Sequence, residues 1–299
     1  MNLKNMRLRL ARRFGWMLGD KLNMKIQYRL EMGKPLDLNN CVTMNEKLQW
    51  LKLYNRNPEL TSLVDKIEVK KIIAEKIGSE YVIPTIMVWD SAEDITEAEI
   101  DSLPQRFVMK TNHSGGNSGV SICRNKDEWD SNEAIQKMKL SLKTDISRAF
   151  GEWPYKNVRR KIFAEEYLGD NIVDYKFYCF NGYVDVVLLC IGRQDGPTKF
   201  YFFDREWNLK RYNKAGKAAP EGFTVPKPEG IDKMFEIASE LSVGFPFVRV
   251  DLYNVNGKIY FGEMTFFPAS GFDYNRLTES DRYFGNLIKL PEHACSKSR

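Results

Sequence analysis

The residues with the clearest chemical promise lie around Lys110. It closes a short apolar run, Phe107-Val-Met-Lys-Thr, and eight small or polar residues follow before apolar character returns at Val120. Glycines let backbone N–H groups approach phosphate oxygens, and a lysine at the loop entrance adds a point charge. The candidate anion-binding set is therefore Lys110, His113, Ser114, Gly115, Gly116, Asn117, Ser118 and Gly119. The spacing is not a Walker loop, because no GxxxxGK[ST] is present, and not a Rossmann loop, because a strand follows where a helix is needed. A Gly/Ser segment alone is usually an ordinary hairpin tip, and His113 either touches a ligand or satisfies a turn. Lys66 supplies a second cation. The sequence places it in the first turn of a helix opened by Asp65, where the dipole disfavours a cation by roughly a few tenths of a kcal/mol.

Two carboxylates form the next group. Asp251 and Glu263 flank a turn at Asn254–Gly257, and Val248, Val250 and Leu252 alternate with Arg249, Asp251 and Tyr253. One strand face is then apolar and the other is functional or solvated. A three-residue loop would make Glu263 a diagonal neighbour of Asp251, whereas other registers separate the two. Carboxylates about 4 Å apart repel by roughly 4 kcal/mol at an effective dielectric near 20. A divalent cation removes that repulsion, and oxygen ligands suit magnesium carrying phosphates. Two solvated charges on an open sheet face are the alternative. Finally, Glu165, Glu166, Tyr167 and Leu168 end an apolar strand and could offer backbone groups at Tyr167–Leu168 to a purine, a pattern that is nonspecific by itself. Asp174 follows for ribose hydroxyls, with Lys176 on the same strand face.

These residues need a fold to hold them, and the chain is long enough for one. At 299 residues with 43% apolar and 28% charged side chains, it builds one or two globular domains and is not disordered. Its longest apolar run, Val186–Ile191, is strand-sized, far below the roughly 20 residues of a membrane span. Five scattered cysteines (41, 123, 179, 190, 295) and two histidines form neither a zinc site nor a Cys/His relay, and they read as reduced thiols. No GxSxG elbow occurs.

Thr43 with Glu46 opens a helix to Tyr54 as a capping box, and Asn57-Pro58 restarts a short one. Asp65 with Glu68 caps a longer helix that runs through Ile77 and is stopped by Gly78. Strands are expected at 81–89, 107–111, 120–123 and 161–168, with a polar helical stretch near 126–150. Asn181-Gly182 is a hairpin turn, a helix lies near 231–242, and a second hairpin spans 247–265. Antiparallel hairpins among helices indicate an α+β fold.

Charge concentrates at one end. Residues 1–34 carry nine Lys/Arg against Asp20 and Glu31, within a whole-chain charge of +5. A nucleic-acid face normally runs through the fold, so this pattern argues against one. Leu3, Met6, Leu10, Phe14 and Met17 form an apolar stripe with Lys4, Arg9 and Arg12 opposite. Three readings stay open: a helix docked on the chain's own core, contact of residues 1–20 with an anionic membrane, and a transit segment.

Taken in order, the segments resemble the ATP-grasp superfamily, and the fuller run resembles its branch linked to teichuronopeptide and capsular polysaccharide synthesis. They are Glu46-Lys-Leu-Gln-Trp-Leu-Lys-Leu-Tyr, Asp65-Lys66, Leu103-Pro-Gln-Arg-Phe-Val-Met-Lys-Thr-Asn-His, Glu165-Glu-Tyr-Leu, Asp174-Tyr-Lys-Phe, Arg249-Val-Asp and Gly262-Glu-Met-Thr-Phe-Phe-Pro-Ala-Ser-Gly. The resemblance implies two α+β subdomains that clamp ATP, with residues 1–60 a basic helical region, 61–168 the glycine-loop subdomain and 169–299 the metal subdomain. It implies that Lys66 and Lys110 contact ATP phosphates, the 115–119 loop closes over them, Glu165–Leu168 hold adenine and Asp174 the ribose. Magnesium falls to Asp251, Glu263 and Thr265, and the acyl phosphate to Arg249 and the Ser270-Gly271 backbone. The superfamily usually carries Asn where Thr265 stands, and a neutral hydroxyl is a weaker ligand. The implied activity is an ADP-forming carboxylate–amine ligase joining a uronic acid and an amino acid, cytoplasmic or at the inner face of the membrane. A phosphotransferase acting on a sugar hydroxyl, or a non-catalytic nucleotide-binding subunit, is the alternative.

Overall fold

The computed structural model describes residues 3–116, 118–170, 172–191 and 198–292. The chain divides into two compact units, Pro58–Ser147 with Trp153–Ile172, and Met1–Asn57 with Arg148–Glu152 and Val173–Arg299.

The first unit is built on four antiparallel strands, β1 (Thr85–Trp89), β2 (Phe107–Thr111), β3 (Val120–Cys123) and β4 (Ile162–Glu166), in the order β1-β4-β2-β3. Strand β1 is shorter than the expected 81–89. Ser79–Tyr81 forms a 3-10 turn, and Pro84, which lacks an N–H, contributes only its carbonyl, accepting from Glu166 N at 3.1 Å. Phe107, Met109 and Thr111 of β2 point inward while Val108 and Lys110 are half-buried, so alternation lifts Lys110 off the core. That core gathers Phe107, Met109, Ile162 and Ala164 with Met138 of helix Ser131–Leu142. The expected 126–150 helical stretch is broken into Lys126–Glu128, Ser131–Leu142 and Ile146–Phe150. Asn125 and Asp130 each cap a separate start.

Six antiparallel strands form the second unit: β5 (Val173–Phe180), β6 (Tyr183–Ile191), β7 (Lys199–Phe203), β8 (Leu209–Lys210), β9 (Val248–Val255) and β10 (Lys258–Thr265), in the order β10-β9-β5-β6-β7-β8. Asn181-Gly182 and Asn256-Gly257 turn the two long hairpins with both residues left-handed (φ 50° and 87°, 52° and 84°), the geometry that matches strand twist. Helix Ile231–Ser242 covers one face, with Phe235 edge-on to Phe177 at 5.0 Å. On the other face Tyr178, Phe202 and Phe284 pack together, Phe284 coming from helix Thr278–Leu287. Helix Met44–Tyr54, opened by the Thr43/Glu46 capping box, is tied to that helix by Asn45 N donating to Asp281 at 3.2 Å. The N-terminal amphipathic segment is a helix over Leu3–Phe14, a 3-10 turn over Gly15–Leu18, and a second helix over Asp20–Met32. Cys41, Cys123, Cys179 and Cys190 are free thiols.

Candidate functional site

In the first unit, two lysines meet the end of β2. Asp65 accepts from Ile67 N (2.9 Å) and Glu68 N (3.4 Å), capping helix Glu68–Ile77. Lys66 therefore follows the capping residue directly, at the N-terminal end of the helix, although the regular helical span begins only at Glu68. Its backbone N donates to Asn112 O (3.0 Å) and its Nζ to Ser114 O (2.6 Å), which brings it to the root of the glycine loop. Lys110 pairs with Glu165 of β4, and Lys70 Nζ reaches the other oxygen of that carboxylate at 2.8 Å. Burial raises the Glu165 carboxyl, but Lys110 and Lys70 outweigh it and hold it below the usual carboxylate range. Glu165 is thus a lysine counter-ion, buried at 3% exposure, while Glu166 is exposed and Tyr167 and Leu168 are half-buried just beyond β4. Lys70 was missed in the sequence. The available signal was Glu165 itself, because a carboxylate inside an apolar strand needs cations beside it.

The glycine loop is built on close contacts. A Cβ on Gly119 would come within 2.2 Å of Ser114 Oγ and Thr111 Oγ1, so only glycine fits there. Gly116 is left-handed (φ 63°), and Ser118 Oγ donates to Gly115 O at 3.2 Å. Asn117 lies outside the described residues. His113 and Ser114 are buried beneath the loop, at 1% and 2% exposure, and do not sit at its tip. Burial, with Arg160 and Lys66 nearby, pushes the His113 imidazole down to about 4, so it is neutral at physiological pH.

In the second unit, Asp251 of β9 stands directly opposite Glu263 of β10. The route differs from the three-residue loop expected. A two-residue turn pairs Val255 with Lys258, and that register alone would set Asp251 against Gly262. A bulge between Phe261 and Glu263 advances β10 by one residue and swings Glu263 into line. Gly262 permits it, since a Cβ there would meet Asp251 O at 3.0 Å and the Tyr253 ring at 3.1 Å.

Arg249 binds both oxygens of Asp251 (2.6 and 2.7 Å), and its Nη2 also reaches Glu263 Oε1 (3.1 Å) and Thr265 Oγ1 (3.0 Å). Thr265 Oγ1 donates to Glu263 Oε1 at 3.1 Å. Lys176 on β5 links Asp251 (2.5 Å) and Asp174 (2.6 Å). Burial works against charge on Arg249 and Lys176, but their carboxylate neighbours outweigh it and strengthen both as cations. Burial pushes Asp251 up to about 6 against the pull of Arg249 and Lys176, which leaves it ionised at neutral pH. Three carboxylates against two cations leave the cluster one negative charge.

The donors are carboxylate and hydroxyl oxygens, the set a hard divalent cation takes, and the net charge has the right sign. Among the described residues no three His, Cys, Asp or Glu side chains are placed to hold one metal ion together, so such an ion depends on two carboxylates and on oxygens from its ligand. After β10, Ala269, Ser270 and Gly271 run through three successive left-handed conformations (φ 50°, 52°, 67°). Gln49 Nε2 holds the Ser270 and Gly271 carbonyls at 3.0 and 2.8 Å. A cavity of about 670 Å³ lined by Tyr183, Asp185, Lys210, Tyr212 and Tyr283 shares no residue with either cluster.

Residues 46–289 match the TupA-like ATP-grasp family, a span that takes in both clusters and the glycine loop. The chain belongs to that family. No curated protein matches it. Among solved structures it is similar to the D-alanine–D-alanine ligase of Bacillus anthracis complexed with ATP, at 17% identity over 76% of this chain and 64% of the ligase, TM-score 0.45. The N5-carboxyaminoimidazole synthetase of Staphylococcus aureus complexed with ADP matches at 15% identity over 90% of this chain and 65% of that one, TM-score 0.44. The D-alanine–D-alanine ligase of Helicobacter pylori matches at 13% identity over 83% and 69%, TM-score 0.43. The chain thus spans a little under two thirds of the Bacillus ligase. The TupA-like family assignment covers both sheets and fits the α+β fold class read from the sequence.

Proposed function

We propose that this TupA-like ATP-grasp protein is an ADP-forming carboxylate–amine ligase that acts on a uronic acid and an amino acid in surface polysaccharide synthesis. The observation that carries the reading is the bulge-made pairing of Asp251 with Glu263 around Arg249. A β10 strand running straight would have carried the second carboxylate away. Asp251 and Glu263, with Thr265 beside them, would hold magnesium, which when bound neutralises phosphate charge. Lys66 and Lys110 take the phosphates at the root of the glycine loop, the Tyr167–Leu168 backbone takes adenine, and Asp174 takes the ribose. Arg249, which holds Asp251 and reaches Glu263, would face the acyl phosphate formed when the substrate carboxylate takes the γ-phosphoryl group and ADP leaves. The amine then displaces phosphate and forms the amide.

ADP and phosphate release with Mg-ATP, measured across uronic-acid and amino-acid pairs, tests this. Release that requires both partners is expected, and Glu263→Ala should abolish it while the variant still folds. Full turnover by Glu263→Ala would refute the metal assignment. One observation favours a second reading: both Asp251 oxygens are engaged by Arg249 and Lys176. If that engagement persists, the protein binds nucleotide without chemistry, and tight ATP binding with no turnover on any pair would be the result. Contact of residues 1–20 with an anionic membrane belongs to the same proposal.

A further inference from the structure

Two charged side chains are buried beneath the Ala269–Gly271 turn, and the assignments above do not use them. Lys52, on helix Met44–Tyr54, is 0% exposed; its Nζ donates to Ser270 O (2.7 Å) and Phe150 O (2.9 Å) and lies 5.1 Å from the Phe272 ring centre. Glu152 is 7% exposed, and its carboxylate accepts from Ser270 Oγ. It belongs to Arg148–Glu152, which is part of the second unit although the first unit flanks it on both sides in sequence. Gln27 Nε2 fixes this segment by donating to Ala149 O at 3.1 Å. Burying two such ions is costly before pairing, and an apolar pair of similar size is often as stable, so packing alone does not explain them.

We propose that Ser270 and Glu152 take the proton from the attacking amine, with Ser270 Oγ touching the nitrogen and Glu152 receiving the proton behind it. The assignment rests on the ligase reading above. It makes the second substrate a primary amine that arrives as its ammonium. The geometry is already a relay. Ser270 Oγ points its hydrogen at Glu152, which leaves its lone pairs for an incoming N–H, and Ser270 is half-exposed where Glu152 is not. As the ammonium loses one proton to Ser270 Oγ, the serine's own proton passes to Glu152. The freed nitrogen pair forms the N–C bond, the C–O bond to phosphate breaks, and the second N–H proton leaves with hydrogen phosphate.

The charged groups that act on Glu152 are Lys52 and Glu263. Burial and Glu263 lift the carboxyl above the usual range against the pull of Lys52, which makes it a stronger base than an exposed glutamate. Burial lowers Lys52 to about 8, so it stays mostly protonated at neutral pH and balances the carboxylate.

Hydroxylamine separates the two steps of the reaction. It is neutral near pH 7.5 and attacks an acyl phosphate without a base, giving a hydroxamate. Hydroxamate from Mg-ATP with D-glucuronate or D-galacturonate is compared with amide from the same mixtures with glycine or L-glutamate. In Glu152→Gln the ratio of amide to hydroxamate should fall about 100-fold relative to the unsubstituted chain, with partial recovery in Glu152→Asp. A purely structural role would lower both products together and overturn the proposal. Should Glu152→Gln fail to fold, Ser270→Ala is read by the same ratio. No hydroxamate from the unsubstituted chain with either uronate would overturn the ligase reading, and this assignment with it.

Discussion

His113 shows how much a single buried group sets the conditions under which the loop holds. In the unfolded chain its imidazole titrates near the ordinary 6.5, while in the fold it stays neutral down to about 4. Between those values the unfolded state binds the extra proton, so stability rises with pH across the window and is lost as pH falls through it. The loss approaches about 3 kcal/mol at the acid end, at about 1.4 kcal/mol per tenfold. His113→Leu should flatten that part of the stability–pH curve, measured by urea unfolding at pH 7 and pH 4.5; parallel curves would contradict it. Lys110 belongs to the proposed phosphate site instead. Lys110→Met leaves Lys70 to pair with Glu165, so the variant should fold and yet lose about 100-fold in ATP turnover. Unchanged turnover would remove Lys110 from the phosphate site. As candidates, Lys66, Lys110, Asp251 and Glu263 were legible in the sequence from a helix start, a loop entrance and strand alternation, though not the register that pairs the last two. Lys70, Lys52 and Glu152 were not, since their roles come from burial by segments far away in sequence.

Elements decide whether those residues meet. The hairpin 247–265, the capping box at Thr43 and strands β2 and β3 followed from alternation, caps and glycines, and the structure places them as read. What periodicity does not carry is the bulge in β10, because one inserted residue leaves the apolar pattern of the hairpin readable on either side of it. Gly262 was visible as a glycine inside a strand, the usual mark of a bulge, but its consequence for register needed the partner strand. Gly262→Ala puts a methyl 3.0 Å from Asp251 O and should cost about 1–3 kcal/mol. If the strand relaxes by losing the bulge, Glu263 moves off Asp251 and the magnesium dependence of ATP binding disappears with it. Isothermal titration with ATP, with and without magnesium, reads this directly. An unchanged magnesium effect in a destabilised Gly262→Ala would show that the pairing is not what holds the ion.

At the scale of the whole molecule the question is what the basic end meets. The helix Leu3–Phe14 docks on Asp20–Met32 through Leu8 and through Arg12, which binds Glu31 and covers the Phe150 ring. The expected stripe points the other way: Met6, Leu10, Phe14 and Met17, together with Trp16, Leu18 and Leu22, are each more than two fifths exposed. Docking on the chain's own core therefore does not account for these side chains. Arg7, Arg9, Arg13, Lys21 and Lys25 are exposed on the same two helices. Among the described residues no helix is long and apolar enough to cross a membrane. The exposed apolar side chains beside these cations are what the proposed contact with an anionic lipid surface rests on. Each Lys or Arg near such a surface contributes about 1 kcal/mol, and the apolar side chains add the part that salt does not screen. The protein should co-sediment with vesicles containing phosphatidylglycerol or phosphatidylserine and far less with phosphatidylcholine alone. The combined variant Leu10→Asp, Phe14→Asp, Met17→Asp should lose that binding while keeping its melting temperature. Retained sedimentation by the variant would remove this face from membrane contact, and a shift from dimer to monomer with no vesicle binding by either form would assign it to a second copy of the chain.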